Sequence, residues 1–285
     1  MSVVLGIDVG GSTTKIVGFR SAGRANRDNG DPREQIGMLQ VRAADQITSL
    51  YGAIGNFLHK YDTGLDDVEL INLTGVGASF IDDPIYGINT CKVDEFQAIG
   101  RGALHLSGLG EALVVSLGTG TAFVRAGAEG MTHIGGSGVG GGTIIGLATR
   151  MLGKSDFDAI LSLAADGNLE NVDLTVSDIL GREIPTLPAH LTAANFGKIK
   201  STASEADIAL GIINMVLQAA GMLAVFAARG DSVRDVVLTG SLTAIPQAES
   251  IFARFKATTT LAFSIPPDAV YATAIGAALQ GGEAN

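Results

Sequence analysis

The sequence predicts an α/β protein of two similar lobes, residues 1–110 and 111–285, and three observations carry that prediction. Residues 3–7 and 112–117 are short apolar runs rich in β-branched residues, each ending in a turn of glycines and hydroxyls and each followed by a returning strand. A strand, turn and strand found twice in corresponding places marks an internal repeat. Further short strands at 68–73 and 233–238 also end in glycine turns and alternate with helical stretches, the pattern of an α/β protein. At 285 residues the chain is long for one core, and 46% hydrophobic against 17% charged residues excludes disorder.

In order, Val3, Val4, Leu5 and Ile7 form the first strand, and Asp8 stands at its end. Gly10 and Gly11 follow, residues that permit positive φ and let backbone N–H groups approach an anion. Ser12, Thr13 and Thr14 add hydroxyl donors, and Thr14, Ile16 and Val17 return the chain as a second strand. Residues 21–36 read as a polar surface loop around Asn29, Gly30, Asp31 and Pro32. A strand at 38–41 and a helix at 43–61 follow, the helix carrying Ile47, Leu50, Ile54, Phe57 and Leu58 on one face. The strand at 68–73 ends in Thr74, Gly75, Val76 and Gly77. Glu95 then starts a helix of small residues through Ala98, Gly102 and Ala103.

In the second half, the strand at 112–117 meets Gly118, Thr119, Gly120 and Thr121, and 122–126 runs back. Residues 134–145, IGGSGVGGGTII, read as a third glycine-rich turn leading into a helix through Leu152, whose N-terminal amides would hold another anion. Residues 155–200 are less regular, with a helix end at 164–168 and a compact loop at 191–197. Residues 209–228 are apolar nearly all round and long enough to cross a bilayer. Alanine and glycine dominate that stretch, Asn214 and Gln218 interrupt it, and Glu205, Asp207 and Arg229 flank it, so it reads as a buried core or dimer helix. The strand at 233–238 meets Thr239, Gly240 and Ser241; a helix through Phe255, a strand at 260–265 and a closing helix at 269–279 complete the chain. No long linker separates the lobes, so the cleft between them reads as a hinge.

Composition narrows the function. Glycine, at 39 residues, is about double ordinary usage, the need of a protein with many tight turns and close backbone approaches. A net charge of -10 argues against nucleic acid and anionic membrane as partners, so an anionic ligand must be drawn in by local donors. Cys91 is the one cysteine, which excludes a disulfide framework, a cysteine zinc site and an Fe–S cluster within one chain. The N-terminus opens directly into a strand without signal-peptide features, and the expected location is cytoplasmic.

A bare hairpin needs a glycine or two but no acid. A carboxylate at the tip of a buried strand, beside donors that suit phosphate, makes sense with a Mg²⁺ between them. The first turn thus points to a nucleotide, and the second turn would face it across the cleft. Glu95 has two readings that spacing leaves level. It complements, with Asp94, the dipole of its helix, worth about 0.3–1 kcal/mol, or it is a general base facing the nucleotide.

The motifs DVGGSTTK at 8–15, EFQAIGRG from Glu95, SLGTGT at 116–121, GGSGVGGGTIIGL at 135–147, LTAANFG at 191–197 and TGS at 239–241 stand in one order. In that set and order the chain resembles the type II pantothenate kinases. The resemblance covers nearly the whole sequence. It implies duplicated ribonuclease H-like lobes of the actin-like ATPase fold with an ATP cleft between them, the dimer helix lying in the C-terminal lobe. It also implies ATP-dependent phosphorylation of pantothenate to 4'-phosphopantothenate, the first step towards coenzyme A, by a Mg²⁺-dependent homodimer. Asp8 matches the acid that helps hold Mg²⁺, and Val9, Gly10, Gly11, Ser12, Thr13, Thr14 and Lys15 match the first phosphate loop. Glu95 matches the base that takes the acceptor's hydroxyl proton. Thr119, Gly141, Gly142, Thr143, Ile144, Ile145, Phe157 and Ser241 match nucleotide contacts, and His133 and Thr192, with Glu95, fall among the acceptor contacts. The resemblance makes coenzyme A or an acyl-CoA a candidate feedback ligand.

One position departs from that pattern. Before the glycine run the family carries an arginine for the pantothenate carboxylate, and here His133 stands there. Arginine offers a permanent bidentate fork, whereas an imidazole, ordinarily titrating near about 6.5, is only partly charged at neutral pH. Arg125 and Arg101 are the alternatives for that contact. Two rival functions share the opening motif or the fold. One is an ATP-hydrolysing activator of 2-hydroxyacyl-CoA dehydratases, whose intersubunit Fe–S cluster needs more cysteines than Cys91 supplies. The other is a sugar or amino-sugar kinase. A non-catalytic nucleotide sensor is disfavoured because Asp8 and Glu95 are both present.

Overall fold

The structure is a computed structural model that describes residues 2–20, 34–43, 45–180 and 191–280. Its first sheet is built from β1 (Val3–Val9), β2 (Thr13–Arg20), β3 (Glu34–Arg42), β4 (Val68–Thr74) and β5 (Thr90–Lys92), in the order β3-β2-β1-β4-β5. β1 is buried along its whole length, which is why it reads as an unbroken apolar run: a strand covered on both faces has no polar side. Between β3 and β4, α1 (Gln46–Lys60) is capped by Asp45, whose carboxylate accepts from Thr48 N at 2.8 Å. Leu50, Ala53, Ile54 and Phe57 of α1 pack under the sheet with Leu5, Ile7, Val9, Ile16 and Leu73.

α2 (Glu95–Ser107) carries the chain to the second sheet, which contains β6 (Ala112–Leu117), β7 (Thr121–Gly127) and β8 (Gly130–Ser137). α3 (Gly141–Leu152), α4 (Phe157–Ala164), β9 (Leu174–Thr175), α5 (Val176–Leu180), β10 (Thr192–Ala194) and α6 (Glu205–Ala227) follow. β11 (Asp235–Thr239), α7 (Pro246–Thr258), β12 (Ala262–Ser264) and α8 (Ala272–Ala278) close the chain. The second sheet runs β8-β7-β6-β11-β12. In both sheets the first three strands are antiparallel and the last two join in parallel, β1 to β4 to β5 and β6 to β11 to β12. The duplication expected from the two turns therefore extends through five strands, and Asp8, Thr74 and Gly75 of one sheet have Ser116, Thr239 and Gly240 as counterparts in the other.

The lobes are stitched together by exchanged helices. α2 follows the first sheet yet packs Ile99 and Ala103 against Ala112, Val114, Val124 and Val237 of the second. α8 follows the second sheet yet packs Ala274, Ile275 and Ala278 against Val17 and Phe19 of the first, and Asn72 Nδ2 donates to Ala277 O at 2.8 Å. Where α2 and α8 cross, their backbones touch. A Cβ on Gly102 would lie 1.8 Å from Ala272 O, and one on Gly276 1.8 Å from Ala98 O. Gly102→Ala must therefore push the helices apart, and thermal unfolding is expected to show a loss of about 1–3 kcal/mol or more, the range for overpacking.

The second core lies between its sheet and α3, α4, α6 and α7. Among the described residues α6 is the one helix long and apolar enough to cross a membrane, and 56% of its apolar window is buried inside the protein. Ile212, Ile213, Val216 and Leu217 are fully covered, whereas Met222, Leu223 and Phe226 near its end are exposed.

Two segments differ from the sequence expectation. β3 begins at Glu34, inside the stretch read as loop; residues 21–33 of that stretch lie outside the described residues. Residues 134–137, expected to belong to a glycine turn, are the end of β8, so the turn proper is 138–140. Glycine is a poor strand former, but Gly135 and Gly136 are held by the ladder to β7, where tertiary pairing overrides propensity.

Candidate active site

Asp8 is the penultimate residue of β1, and both its neighbours on the sheet contribute to its surroundings. Its register partners are Lys15 on β2 and Thr74 on β4. Lys15 Nζ lies 3.6 Å from Asp8 Oδ2, and both side chains are buried. Burial pushes the Asp8 carboxyl up, and Lys15 pulls it part of the way back. Gly75 stands against it at φ 87°: a Cβ there would meet Asp8 Oδ1 at 2.6 Å. The sequence marked Gly75 as a turn residue without a role; what it provides is a left-handed conformation and room beside the carboxylate.

The first turn is closed by Gly10 N donating to Thr13 O at 3.0 Å. Neither Gly10 nor Gly11 adopts positive φ, which corrects the reason given for them. Gly10 is small because a Cβ would meet Thr13 O at 2.9 Å, and Gly11 lies in open space. Among the described residues no acceptor takes the Gly11 and Ser12 amides, so these donors remain for a ligand. Thr14 departs from expectation. It pairs with Val9 on the face turned to the first core, is 0% exposed, and its Oγ1 has no partner, so it offers the cleft no donor. Val9 is likewise a core residue.

Glu95 is placed on the same sheet edge as Asp8 because β5 extends the sheet: Val93 N donates to Leu73 O at 2.7 Å, and α2 starts two residues later. Asp94 is the cap, accepting from Gln97 N at 3.0 Å, which removes Glu95 from that task. Burial, then the charges of Asp8 and Asp94, raise the Glu95 pKa, with Lys15 opposing. A dipole partner would be lowered. His133 lies on β8 with its ring stacked on Phe96, 3.8 Å between centroids and 10° between planes, so it sits beside the residue that follows Glu95. Arg125 is held by Glu111 at 2.7 Å and Asp231 at 2.9 Å, and Arg101 donates to Gly276 O at 3.4 Å.

The second turn is packed against the glycine run. Gly141 N donates to Gly118 O and Gly142 N to Thr119 O, each at 2.9 Å, while Thr143 N and Ile144 N both reach Gly140 O. These first α3 amides are thus engaged within the protein, contrary to the expectation that they hold an anion. The run serves close approach instead: a Cβ on Gly140 would lie 2.6 Å from Thr119 O. Thr121, unremarked in the sequence as a site residue, ties the two together by donating from Oγ1 to Val139 O at 2.8 Å. Thr119 is exposed at the tip, Ile144 is fully buried in the second core and Ile145 half-buried. Ser241 follows Gly240, whose φ of 90° repeats Gly75. Phe157 starts α4, half-buried against the second core. Thr192 lies elsewhere, on β10, where its Oγ1 accepts from Gln218 Nε2 at 3.0 Å in a network with Asn195, Asp173 and Asn214.

A family model described as Fumble matches residues 111–255 of this chain, half of its length. The chain belongs to the Fumble family, the type II pantothenate kinases. Among its curated relatives, the type II pantothenate kinase of Staphylococcus haemolyticus is 27% identical over 246 residues, 83% of this chain and 84% of that protein. That of Staphylococcus epidermidis is 30% identical over 188 residues, 62% of this chain and 69% of that protein. Among solved structures, the activator of the 2-hydroxyisocaproyl-CoA dehydratase from Clostridium difficile aligns over 97% of this chain and 93% of its own, at TM-score 0.67 and 15% identity. A ROK hexokinase from Thermus thermophilus aligns over 97% of both chains at TM-score 0.53 and 13% identity. The Fumble chain therefore has the actin-like two-lobed fold, and identities this low carry the fold alone.

In this Fumble chain the match runs through the second turn and the glycine run, while the acid pair Asp8 and Glu95 lies outside the matched residues. They come from different elements: Asp8 is paired with Lys15 at 3.6 Å, and the Glu95 carboxyl is raised by burial first and then by the charges of Asp8 and Asp94. Buried carboxyls with raised pKa values beside one another are a common feature of acid–base sites.

Proposed function

We propose that this protein transfers the γ-phosphate of ATP to the 4'-hydroxyl of pantothenate, with Glu95 as general base and the two glycine turns as phosphate holders. The observation that carries the roles is the free, raised carboxyl of Glu95 beside the lysine-paired Asp8. The relatives named type II pantothenate kinase, matched over most of their length, support the acceptor.

Glu95 accepts the proton of the acceptor hydroxyl as its oxygen bonds to the γ-phosphorus and ADP departs. A base whose pKa is raised is better matched to a hydroxyl than an ordinary carboxylate. Gly11 and Ser12 amides and the exposed Thr119 turn supply donors to the phosphates from opposite lobes. Little covalent work is asked of the protein in such a transfer; positioning and charge stabilisation dominate.

The residues present fit a Mg²⁺ of the substrate-completed kind. Asp8 has one cationic partner and that at 3.6 Å, and the buried Thr74 hydroxyl on the adjoining strand has no partner. No group of three or more acidic, histidine or cysteine ligands occurs among the described residues, so Asp8 would share the ion with phosphate oxygens and water rather than enclose it. When bound, Mg²⁺ neutralises charge on the transferring phosphates.

His133 is the proposed acceptor contact, since Arg125 is committed to Glu111 and Asp231. His133→Ala is expected to raise the pantothenate KM about tenfold with the ATP KM unchanged, the loss of one hydrogen bond to a charged group. An unchanged pantothenate KM would remove His133 from the site. The division into lobes at 110/111, the cytoplasmic location, the use of the exposed end of α6 in a homodimer and coenzyme A feedback are further parts of this proposal.

The test is ATP-dependent phosphorylation over pantothenate, pantetheine, hexoses and amino sugars. Turnover of pantothenate above the others is expected. Turnover of a sugar with none of pantothenate would overturn the acceptor and keep the kinase.

A further inference from the structure

Arg42 ends β3 at the edge of the cleft. It is the register partner of Thr13 in the first turn, and the next residue, Ala43, donates its N–H to Ser12 O at 3.0 Å. The end of β3 is thus fixed to the turn that would hold phosphate. Thr13, Lys15, Val17 and Phe19 alternate onto the face of the sheet that α8 covers, and Arg42, opposite Thr13, shares that face. Its guanidinium then leaves the first lobe. Nη1 lies 3.5 Å from Asp156 Oδ2 and Nη2 3.0 Å from Asp158 Oδ2, the two carboxylates flanking Phe157 at the start of α4 in the second lobe. Every other ion pair among the described residues stays within one lobe.

The lobes are therefore joined in two chemically different ways. At α2 and α8 the join is backbone against backbone, with no space for a methyl group. At Arg42 it is an ion pair in water: the side chain is 76% exposed, and its partners 53% and 77%. Exposed pairs are individually weak and screened by salt. Such a join costs little to break, whereas the helix crossing cannot part without losing its packing.

We propose that Arg42, with Asp156 and Asp158, is an ionic clasp that holds the two lobes over a nucleotide seated between the glycine turns, which makes Arg42 a positioning residue for nucleotide retention. The proposal rests on the reading above that the cleft takes ATP. Opening the clasp speeds nucleotide release without touching Glu95 or the acceptor.

The experiment measures binding of a fluorescent ATP analogue, steady-state ATP KM and kcat, and the small-angle scattering radius of gyration, at about 50 and about 300 mM KCl. The variants are Arg42→Gln, the pair Asp156→Asn with Asp158→Asn, and the exchanged set R42E/D156N/D158R. Asparagine keeps the α4 cap that Asp156 makes to Ala159 N while removing the charge. Arg42→Gln is expected to raise nucleotide Kd and KM about three- to tenfold, the worth of two exposed pairs, with kcat equal or higher. The double asparagine variant matches it, the exchanged set recovers most of the loss, and both neutral variants lose the steeper salt dependence of the wild type and scatter as more open. Unchanged Kd in both neutral variants overturns the clasp. So does a rise in Arg42→Gln alone, which would make Arg42 a direct nucleotide contact. Should Arg42→Gln fold poorly, the double asparagine variant decides by itself. Nucleotide binding is read without an acceptor, so a clasp that fails leaves phosphorylation of pantothenate standing, and a protein that phosphorylates some other acceptor leaves the clasp standing.

Discussion

Glu95→Gln is expected to lower kcat by about 10²–10⁴-fold, the usual worth of a positioned general base, while leaving nucleotide affinity within about twofold. The same substitution is expected to raise the melting temperature at neutral pH. Burial, followed by Asp8 and Asp94, raises the Glu95 pKa in the folded protein. A carboxyl raised on folding contributes stability that is fully present below its unfolded pKa and is lost as pH rises through the folded value. At about pH 7.5 the wild type bears the cost of an ionised Glu95 and the glutamine variant does not; towards about pH 4 the two should converge. Thermal melts across that window test the sign. A variant that is both less active and less stable at neutral pH would mean that Glu95 is held by favourable contacts and is a structural acid. For the wild type the same shift places the acid limb of the kcat profile above the ordinary glutamate range, since Glu95 must lose its proton to act.

Asp8→Asn should be damaging in both respects. It keeps the shape of the side chain but removes the negative charge 3.6 Å from Lys15 Nζ, leaving the buried lysine without its ion-pair partner. Breaking one partner of a buried pair costs about 3–5 kcal/mol in known cases. Turnover is expected to fall by more than about 10²-fold if Asp8 holds Mg²⁺ as proposed, because a metal contact to phosphate would be worth several kcal/mol of transition-state charge. Adding Lys15→Met to Asp8→Asn replaces the pair by neutral groups of similar volume and should restore much of the stability. It should restore no activity. Full activity in the double variant would show that Asp8 serves only to hold Lys15.

The two glutamine and asparagine substitutions at 95 and 8 thus part in opposite directions on stability and agree on rate. Burial raises both carboxyls, and the contrast follows from what each leaves behind: Asp8 has Lys15 within ion-pair distance, whereas Lys15 acts on Glu95 only as the smallest opposing charge.

Much of the fold was legible because its signals are local. β1 and β6 announced themselves as apolar runs ended by glycine, and Asp8 stood out as an acid that a bare hairpin does not need. The duplicated strand order was foreshadowed by the two turns. What stayed hidden depended on contacts distant in sequence. Gly102 and Gly276 look like ordinary small residues in apolar helices, and only the crossing of α2 and α8 shows that each is fixed by a carbonyl of the other helix. The last four residues of β8, 134–137, look like part of a turn because two glycines there outweigh the ladder that β7 imposes. Thr14 looked like its neighbours Ser12 and Thr13, yet strand parity turns it to the core. The amides of the glycine run seemed available until Gly118 and Thr119 proved to accept them. Arg42 gave no signal at all, since its partners lie 114 and 116 residues away.

The most direct test of the whole account follows the γ-phosphate itself. Wild-type protein is mixed with γ-labelled ATP, Mg²⁺ and pantothenate, and the label is traced in product and in free phosphate. The account predicts that the label appears on the 4'-oxygen of pantothenate, that little free phosphate forms when pantothenate is left out, and that Glu95→Gln loses the transfer. Release of the label as free phosphate at the same rate with and without pantothenate would contradict it and make the cleft an ATPase.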